Sequence, residues 1–311
     1  MENLPKIDMH VHSDFSDGTF SPSEIVSKAK DLDLDLIALT DHNTFSGISE
    51  FKKACKKYKV KGIPGIELTT SYKNKEIHVL GYFNINIDFR KKNVSLLKNI
   101  IKDYEKSKKE QNEAIIKALE AAGFPVNISG FYKFMKTKTK DENYNRVHIA
   151  QYMIHENIIK SLDEAFDNYI GTDNKFFVKK KTISLGKAIR AIQTAGGICI
   201  IAHPGEYNFL PDELKLFFDF CKNNGVHGFE CFHPSHSNVD ILNIIDNALN
   251  TIESSSSNYN FLLTMGSDFH GYNKKNKLGK VFDCSLSIEQ KTIFELSCLK
   301  TYRRLEVLTC I

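Results

Sequence analysis

Residues 7–18 read IDMHVHSDFSDG, and the first five of them, Ile7 to Val11, form an apolar run of strand length that leads into a histidine pair. Side chains two apart on an extended segment point the same way, so His10 and His12 can grip one metal ion. Similar runs recur at Leu34 to Thr40, Ile63 to Leu68, Ile77 to Phe83, Ile198 to Ala202, Val226 to Phe232 and Phe261 to Gly266, giving seven candidate strands. Several are apolar almost throughout, as in parallel sheets buried on both faces. Between them Ser21 to Asp31, Gly47 to Tyr58 and Leu185 to Ala195 carry helical spacing, and Pro22 sits where a helix begins. The alternation predicts an α/β protein built on a parallel sheet with covering helices.

Ligand-type residues follow these runs. Asp17 lies downstream of the first and Asp41-His42 after the second. Glu67 closes IPGIEL (63–68), His78 lies inside EIHVLGY (76–82), His203 is in IAHP (201–204), and Asp268 and His270 are in GSDFHG (266–271). The carboxyl ends of parallel strands form the active-site face of α/β architectures, because the loops there vary while the sheet holds them. One histidine or aspartate beside a strand is ordinarily a satisfied polar group or a helix cap, which is how Asp41 reads. Such groups at six separate strand ends instead predict one metal-binding cluster of His10, His12, Asp17, His42, Glu67, His78, His203, Asp268 and His270.

The chain has 311 residues, enough for roughly two domains of about 150 or for one barrel. With 41% hydrophobic and 26% charged residues it is globular, which excludes collagen-like, low-complexity and disordered classes. Its 42 basic and 38 acidic residues leave +4, too little to mark a nucleic-acid binder. Cys55, Cys199, Cys221, Cys231, Cys284, Cys298 and Cys310 show no C-x-x-C spacing, as expected of reduced cytosolic thiols. No leader pattern opens the chain, and no run approaches the roughly 18 apolar residues of a membrane helix. A cytoplasmic protein without membrane association is expected. Ser254 to Ser257 reads as a loop.

From about residue 89 to 181 the strand–helix alternation lapses. Leu96, Leu97, Ile100, Ile101, Tyr104, Ile115, Ala118 and Leu119 mark a long amphipathic helix, stopped by Gly123-Phe124-Pro125. Basic clusters accompany it: Arg90-Lys91-Lys92, Lys106 to Lys109, Lys136/Lys138/Lys140 and Lys179-Lys180-Lys181. These read as solvated helix faces or as a groove for a phosphate-bearing polymer.

The ordered motifs DMHVHSDFSDG, LTDHNT, PGIEL, HVLGY, IAHP and GSDFHG resemble those of the PHP (polymerase and histidinol phosphatase) superfamily, over residues 6 to 279. RVHIAQYM (146–153) and FECFHPSHS (229–237) are similar to a subgroup of small bacterial phosphoesterases with a helical insertion. The resemblance implies a distorted (β/α)7 barrel formed by residues 1–88 and 182–279, a helical insertion over 89–181, and a C-terminal extension, 280–311, without a recognised counterpart.

It also implies a three-metal site. His10, His12, Glu67 and Asp268 would hold the first ion, Glu67, His78 and His203 the second, and Asp17, His42 and His270 the third. Mixed imidazole and carboxylate donors favour Mn²⁺, with Fe²⁺ or Zn²⁺ as alternatives, and close-set ions lower the pKa of water toward about 7 while neutralising phosphoryl oxygens. The expected activity is removal of the 3′-phosphate from 3′,5′-bisphosphonucleotides, with 5′-to-3′ exonuclease action on short 5′-phosphorylated RNA. Arg146 and His236 are the expected substrate-binding residues. The alternatives are a histidinol-phosphate-like small-metabolite phosphatase and a non-catalytic metal-stabilised module. Nucleotide or short RNA is the expected partner, and the residues point to no stable protein partner. His148, His155, His227 and His233 carry weaker signals.

Overall fold

The computed structural model describes residues 4–137, 144–253 and 261–309. Lys138, Lys140, Ser254 to Ser257 and Cys310, singled out above, lie outside them. Two compact units emerge, one formed by Met1–Ile100 with Ile183–Ile311 and one by Ile101–Thr182.

The first unit is a nearly closed, barrel-shaped sheet with surrounding helices. Its strands are β1 (Ile7–Val11), β2 (Leu36–Leu39), β3 (Lys61–Tyr72), β4 (Lys75–Tyr82), β5 (Ile183–Ser184), β6 (Ile198–Ile201), β7 (Gly228–Phe232) and β8 (Leu262–Met265). The sheet runs β1-β2-β3-β4-β6-β7-β8, with the two-residue β5 paired to β3. β8 returns toward β1 through a parallel bridge between Val11 and Phe269, where the His12 N–H donates to the Phe269 carbonyl at 2.9 Å. Asp8 fastens this seam, its carboxylate accepting from Ser267 N–H (2.9 Å), Ser267 Oγ–H (2.6 Å) and Gly279 N–H (2.8 Å).

The sheet is not parallel throughout. β4 is antiparallel to β3 and to β6. Ile63 to Leu68 and Ile77 to Phe83 are parts of one long hairpin, turned at Lys73 and Asn74 with φ of 45° and 68°. Two residues of positive φ make a turn whose twist suits a tight hairpin, and here Lys-Asn stands where Asn-Gly or Asp-Gly is usual, so the common hairpin signal is missing from the sequence.

Helices form where periodicity places them. Ser21 caps helix Pro22–Asp31 with Glu24 completing a capping box. Helices Pro22–Asp31 and Ile48–Tyr58 bury Ile25, Val26, Phe51 and Cys55 against Val11, Ile37 and Leu39, each large apolar side chain contributing about 1.5–3 kcal/mol. The C-terminal stretch docks on the same unit. Helix Ile288–Leu305 stacks Phe294 edge-on to Phe232 of β7, and Thr301 Oγ–H donates to the Leu263 carbonyl of β8.

The second unit is helical, with a core that includes Ile115, Leu119, Phe131, Met135, Ile149 and Met153. The helix Ser95–Ala121 spans 27 residues. Several lysines of the basic clusters are occupied locally: Lys106 faces Glu110, and Lys108 and Lys180 lie over the Tyr104 ring.

Candidate metal centre

β1 delivers His10 near its end and His12 just beyond, on one side of the segment as their spacing requires. β3 is parallel to β2 only through Lys61 to Pro64, so Glu67 stands past the end of β2, where a bridge joins it to His42. β4 runs the other way, so a residue in its first half reaches the carboxyl edge of its neighbours. His78 therefore sits level with Ala202, next to His203. His203 and Asp268 both adopt positive φ, 25° and 50°. Non-glycine residues in that region are strained, and such strain concentrates at functional sites.

All nine side chains meet. Glu67 is fully buried at the centre and divides its oxygens between two sets of imidazoles. Oε1 lies 2.9 Å from His78 Nδ1 and 3.2 Å from His203 Nε2, whereas Oε2 lies 2.9, 3.3 and 3.4 Å from His42 Nδ1, His12 Nε2 and His10 Nε2. Asp268 Oδ1 stands 3.2–3.5 Å from ring nitrogens of His12, His270 and His10. Asp17 Oδ1 is 3.2 Å from His270 Nε2, and its Oδ2 is 3.8 Å from His42 Nε2. Among the described residues three groups have donor atoms mutually within 4.8 Å: His12/Asp17/His42/His270, His10/His12/Glu67 and His42/Glu67/His78. His10, His12 and Glu67 form the floor, while His42, His78 and Asp17 remain about one-fifth to one-quarter exposed and line the mouth.

These residues fit divalent cations, because they are arranged for partners that protein groups do not supply. Nine buried side-chain N or O atoms among the described residues lack a hydrogen-bond partner, and eight belong to this site. They are His10 Nε2, both ring nitrogens of His12, Asp17 Oδ1, Glu67 Oε2, His203 Nδ1, His233 Nε2 and His270 Nε2. Folded proteins leave few such atoms unpaired, so their concentration at one point marks a ligand shell.

Electrostatics agree. Burial opposes charging His10, but Glu230, Glu67 and Asp268 outweigh it and raise the imidazole well above its ordinary range. Burial likewise pushes Glu67 up, and His42, His78 and His10 overcome it to hold the carboxyl well below its usual value. His12 is driven down to about 4 by burial and by neighbouring His270 and His42, which keeps it neutral as a metal ligand must be. The carboxylates of this site require cationic charge beside them.

A second layer orients the ligands. Glu230, fully buried on β7, places both oxygens 3.1 Å from His10 Nδ1 and accepts the His203 N–H at 2.8 Å. In the neutral form that a metal ligand must take, the proton of His10 sits on Nδ1, leaving the Nε2 lone pair facing inward. Gly266 makes room for this packing, since a Cβ there would stand 2.4 Å from Glu230 Oε1 and 2.3 Å from His10 Cβ. Sequence reading passed over Glu230; the available signal was a carboxylate inside the otherwise apolar strand GFECF. Lys274, also passed over, places Nζ 2.5 Å from Asp268 Oδ2. Asp41 is a structural clamp, accepting from Ser13 N–H, Ser13 Oγ–H and Ser16 Oγ–H.

The other histidines and Arg146 are placed as follows. His236 is buried, its Nδ1–H donating to the Cys231 carbonyl (2.8 Å) and its Nε2 accepting from Gly205 N–H (3.2 Å), which commits both ring nitrogens to backbone. Arg146 lies in the helical unit, donating to the Ile170 carbonyl at 3.2 Å with its guanidinium over Phe177. His148 completes the cap of helix Arg146–His155, His155 stacks on Phe134, and His227 accepts the Cys199 N–H. A cavity of about 1110 Å³ borders Phe20, Leu32, Leu278 and Phe282 and contains none of the nine clustered side chains. Among the described residues, no helix is long and apolar enough to cross a membrane.

A model of the PHP domain matches residues 8–215. A Haemophilus influenzae protein named 5′-3′ exoribonuclease is 33% identical over 226 residues, covering 72% of this chain and 78% of the relative. A Chromobacterium violaceum protein named 3′,5′-nucleoside bisphosphate phosphatase is 28% identical over 268 residues, covering 86% and 88%. A solved structure of an amidohydrolase from Chromobacterium violaceum, with bound sulfate and no metal, aligns at a TM-score of 0.77 and 25% identity, covering 98% of this chain and 97% of that one.

Proposed function

Because this chain belongs to the PHP domain family, we propose that it is a metal-dependent phosphoesterase. Its proposed reactions are hydrolysis of the 3′-phosphate of 3′,5′-bisphosphonucleotides and 5′-to-3′ removal of nucleotides from short 5′-phosphorylated RNA. The observation that carries the reading is the convergence of eight partnerless buried donor and acceptor atoms on one carboxylate-rich point.

Three divalent ions, Mn²⁺ by preference, would be held by His10, His12, Glu67 and Asp268, by Glu67, His78 and His203, and by Asp17, His42 and His270. The division of Glu67, one oxygen toward His78 and His203 and the other toward His10 and His12, supports a bridging role. When bound, such ions supply Lewis-acid neutralisation of phosphoryl charge and lower the pKa of water from 15.7 toward about 7. Glu230 keeps the lone pair of His10 directed inward, and the Nδ1–H of His270, donating to the Asp268 carbonyl at 2.9 Å, does the same for its Nε2. Three carboxylates against three divalent ions leave the site net positive, which favours a phosphate dianion. Arg146 and His236 are the proposed substrate-side residues: Arg146 would supply a permanent forked charge, and His236, with both ring nitrogens held by backbone, would act indirectly by fixing the Gly205 turn beside His203. Residues 89–181 form the proposed insertion of a barrel built from 1–88 and 182–279.

The test is product chromatography after Mn²⁺-loaded protein meets adenosine 3′,5′-bisphosphate, a 5′-phosphorylated oligoribonucleotide and histidinol phosphate in parallel. AMP and stepwise mononucleotides are expected. Release of phosphate from histidinol phosphate alone would overturn the nucleotide reading, and full activity with His203→Ala or Asp268→Ala would overturn the metal assignment.

A further inference from the structure

The histidines around the cluster are not all set the same way. In His10 and His270 the outer nitrogen, Nδ1, faces groups that only accept, the Glu230 carboxylate and the Asp268 carbonyl. Each therefore carries its proton outside and presents an Nε2 lone pair inward. His233 is set in reverse. Its Nδ1 accepts the Ser235 backbone N–H at 3.2 Å, with Ser235 Oγ at 2.7 Å. A backbone N–H can only donate, so the lone pair of His233 is on Nδ1 and the proton is on Nε2.

That Nε2–H is buried, aimed at the site, and without a hydrogen-bond partner. His233 is 1% exposed, its ring lies 5.4 Å from that of His203 and 6.4 Å from that of His10, and its Nε2 stands 3.8 Å from Asp268 Oδ2. Glu206 Oε1 is 4.0 Å from Nδ1, too far to claim it. In this tautomer the ring cannot ligate a cation, but it can donate to an anion.

The same edge of Asp268 carries a second donor. Lys274 Nζ lies on Oδ2, while Oδ1 faces His10, His12 and His270. Metal-ligand chemistry thus occupies one side of Asp268, and proton donors occupy the other. Lys274 is satisfied by Asp268, whereas the His233 Nε2–H is fixed beside the metal cluster without a hydrogen-bond partner, as suits a donor to an oxygen that arrives with the substrate.

We propose that His233 donates a hydrogen bond through Nε2–H to an oxygen of the substrate's phosphoryl group, making it a catalytic residue outside the metal shell. The proposal rests on the phosphoesterase reading. The test compares Mn²⁺-loaded wild type, His233→Leu and His233→Gln by metal content, by calorimetric binding of inorganic phosphate, and by turnover of adenosine 3′,5′-bisphosphate. The glutamine amide N–H reaches the position of Nε2.

Metal content is expected to be unchanged in both variants. In His233→Leu, phosphate binding is expected to weaken about tenfold and kcat to fall about 10²-fold, the scale of removing one fixed donor, with both largely restored in His233→Gln. Ring-¹⁵N spectra of the wild type, assigned with His233→Gln, are expected to show Nδ1 unprotonated. Metal loss in His233→Leu, unchanged phosphate affinity, a glutamine no better than leucine, or a protonated Nδ1 would each overturn the proposal. Should the leucine variant not fold, glutamine against asparagine gives the same contrast, because the asparagine amide falls at Nδ1. A wild type that binds phosphate but hydrolyses no phosphoester would sink the phosphoesterase reading, while calorimetry still decides the role of His233.

Discussion

Replacing Glu230 with glutamine removes a charge without opening a cavity and leaves every residue that would itself contact a metal unchanged. In the native protein both Glu230 oxygens lie 3.1 Å from His10 Nδ1, and one accepts the His203 N–H at 2.8 Å. A glutamine carbonyl can keep the His203 bond and one contact with the Nδ1–H of His10, but its amide stands equally close to that N–H, donor against donor. The ring escapes this by moving its proton to Nε2, where it blocks the lone pair aimed between Glu67 and Asp268. Partners that orient a metal-ligating histidine are worth about 10- to 100-fold in metal affinity or activity, or about 1.4–2.7 kcal/mol. Glu230→Gln is therefore expected to weaken Mn²⁺ binding at the His10 position by one to two decades, with the remaining ions less affected. Titration of Mn²⁺ followed by the electron paramagnetic resonance signal of the free ion measures this directly. Binding isotherms that superimpose within twofold would refute the argument that Glu230 sets the His10 tautomer.

Two other outcomes follow from the structure. Asp8 accepts three hydrogen bonds from Ser267 and Gly279 across the seam between β1 and β8, so Asp8→Ala strands buried donors at about 1–3 kcal/mol each. The variant is expected to melt about 6–10 °C lower by calorimetry if about 3 kcal/mol is lost, and a melting point within 2 °C of wild type would contradict the seam's importance. The described cysteines are all free, and burial pushes the Cys55 and Cys298 thiols up to about 12, with Cys199, Cys221 and Cys231 also raised by burial. Thiolate is the reactive form, so at pH 8 Cys284, the least buried of them, is expected to be alkylated first. Peptide mapping that finds Cys55 or Cys298 modified before Cys284 in the native protein would count against this.

Much of the site is legible in the chain because the alternation of apolar runs and helical segments orders the strands, and strand order fixes which ends share a face. His10, His12, His203, Asp268 and His270 follow from that logic alone, since each stands at or just past the end of a parallel strand. Glu67 and His78 are also read into the cluster from the sequence, but the reason they share its face required the tertiary structure. They belong to one hairpin whose Lys73-Asn74 turn lacks the usual glycine, and only the antiparallel direction of β4 explains why a residue in its first half reaches the same face as residues at the ends of its neighbours.

The sequence by itself determined the class of fold, the donor types and hence the kind of ion they suit, because periodicity and side-chain chemistry are local properties. It did not determine which nitrogen of each imidazole faces inward. That depends on whether a carboxylate from β7, a backbone carbonyl or a backbone N–H stands behind the ring, as Glu230 does for His10, the Asp268 carbonyl for His270 and Ser235 for His233. A single proton's position separates a metal ligand from a hydrogen-bond donor, and only the packing of distant segments decides it.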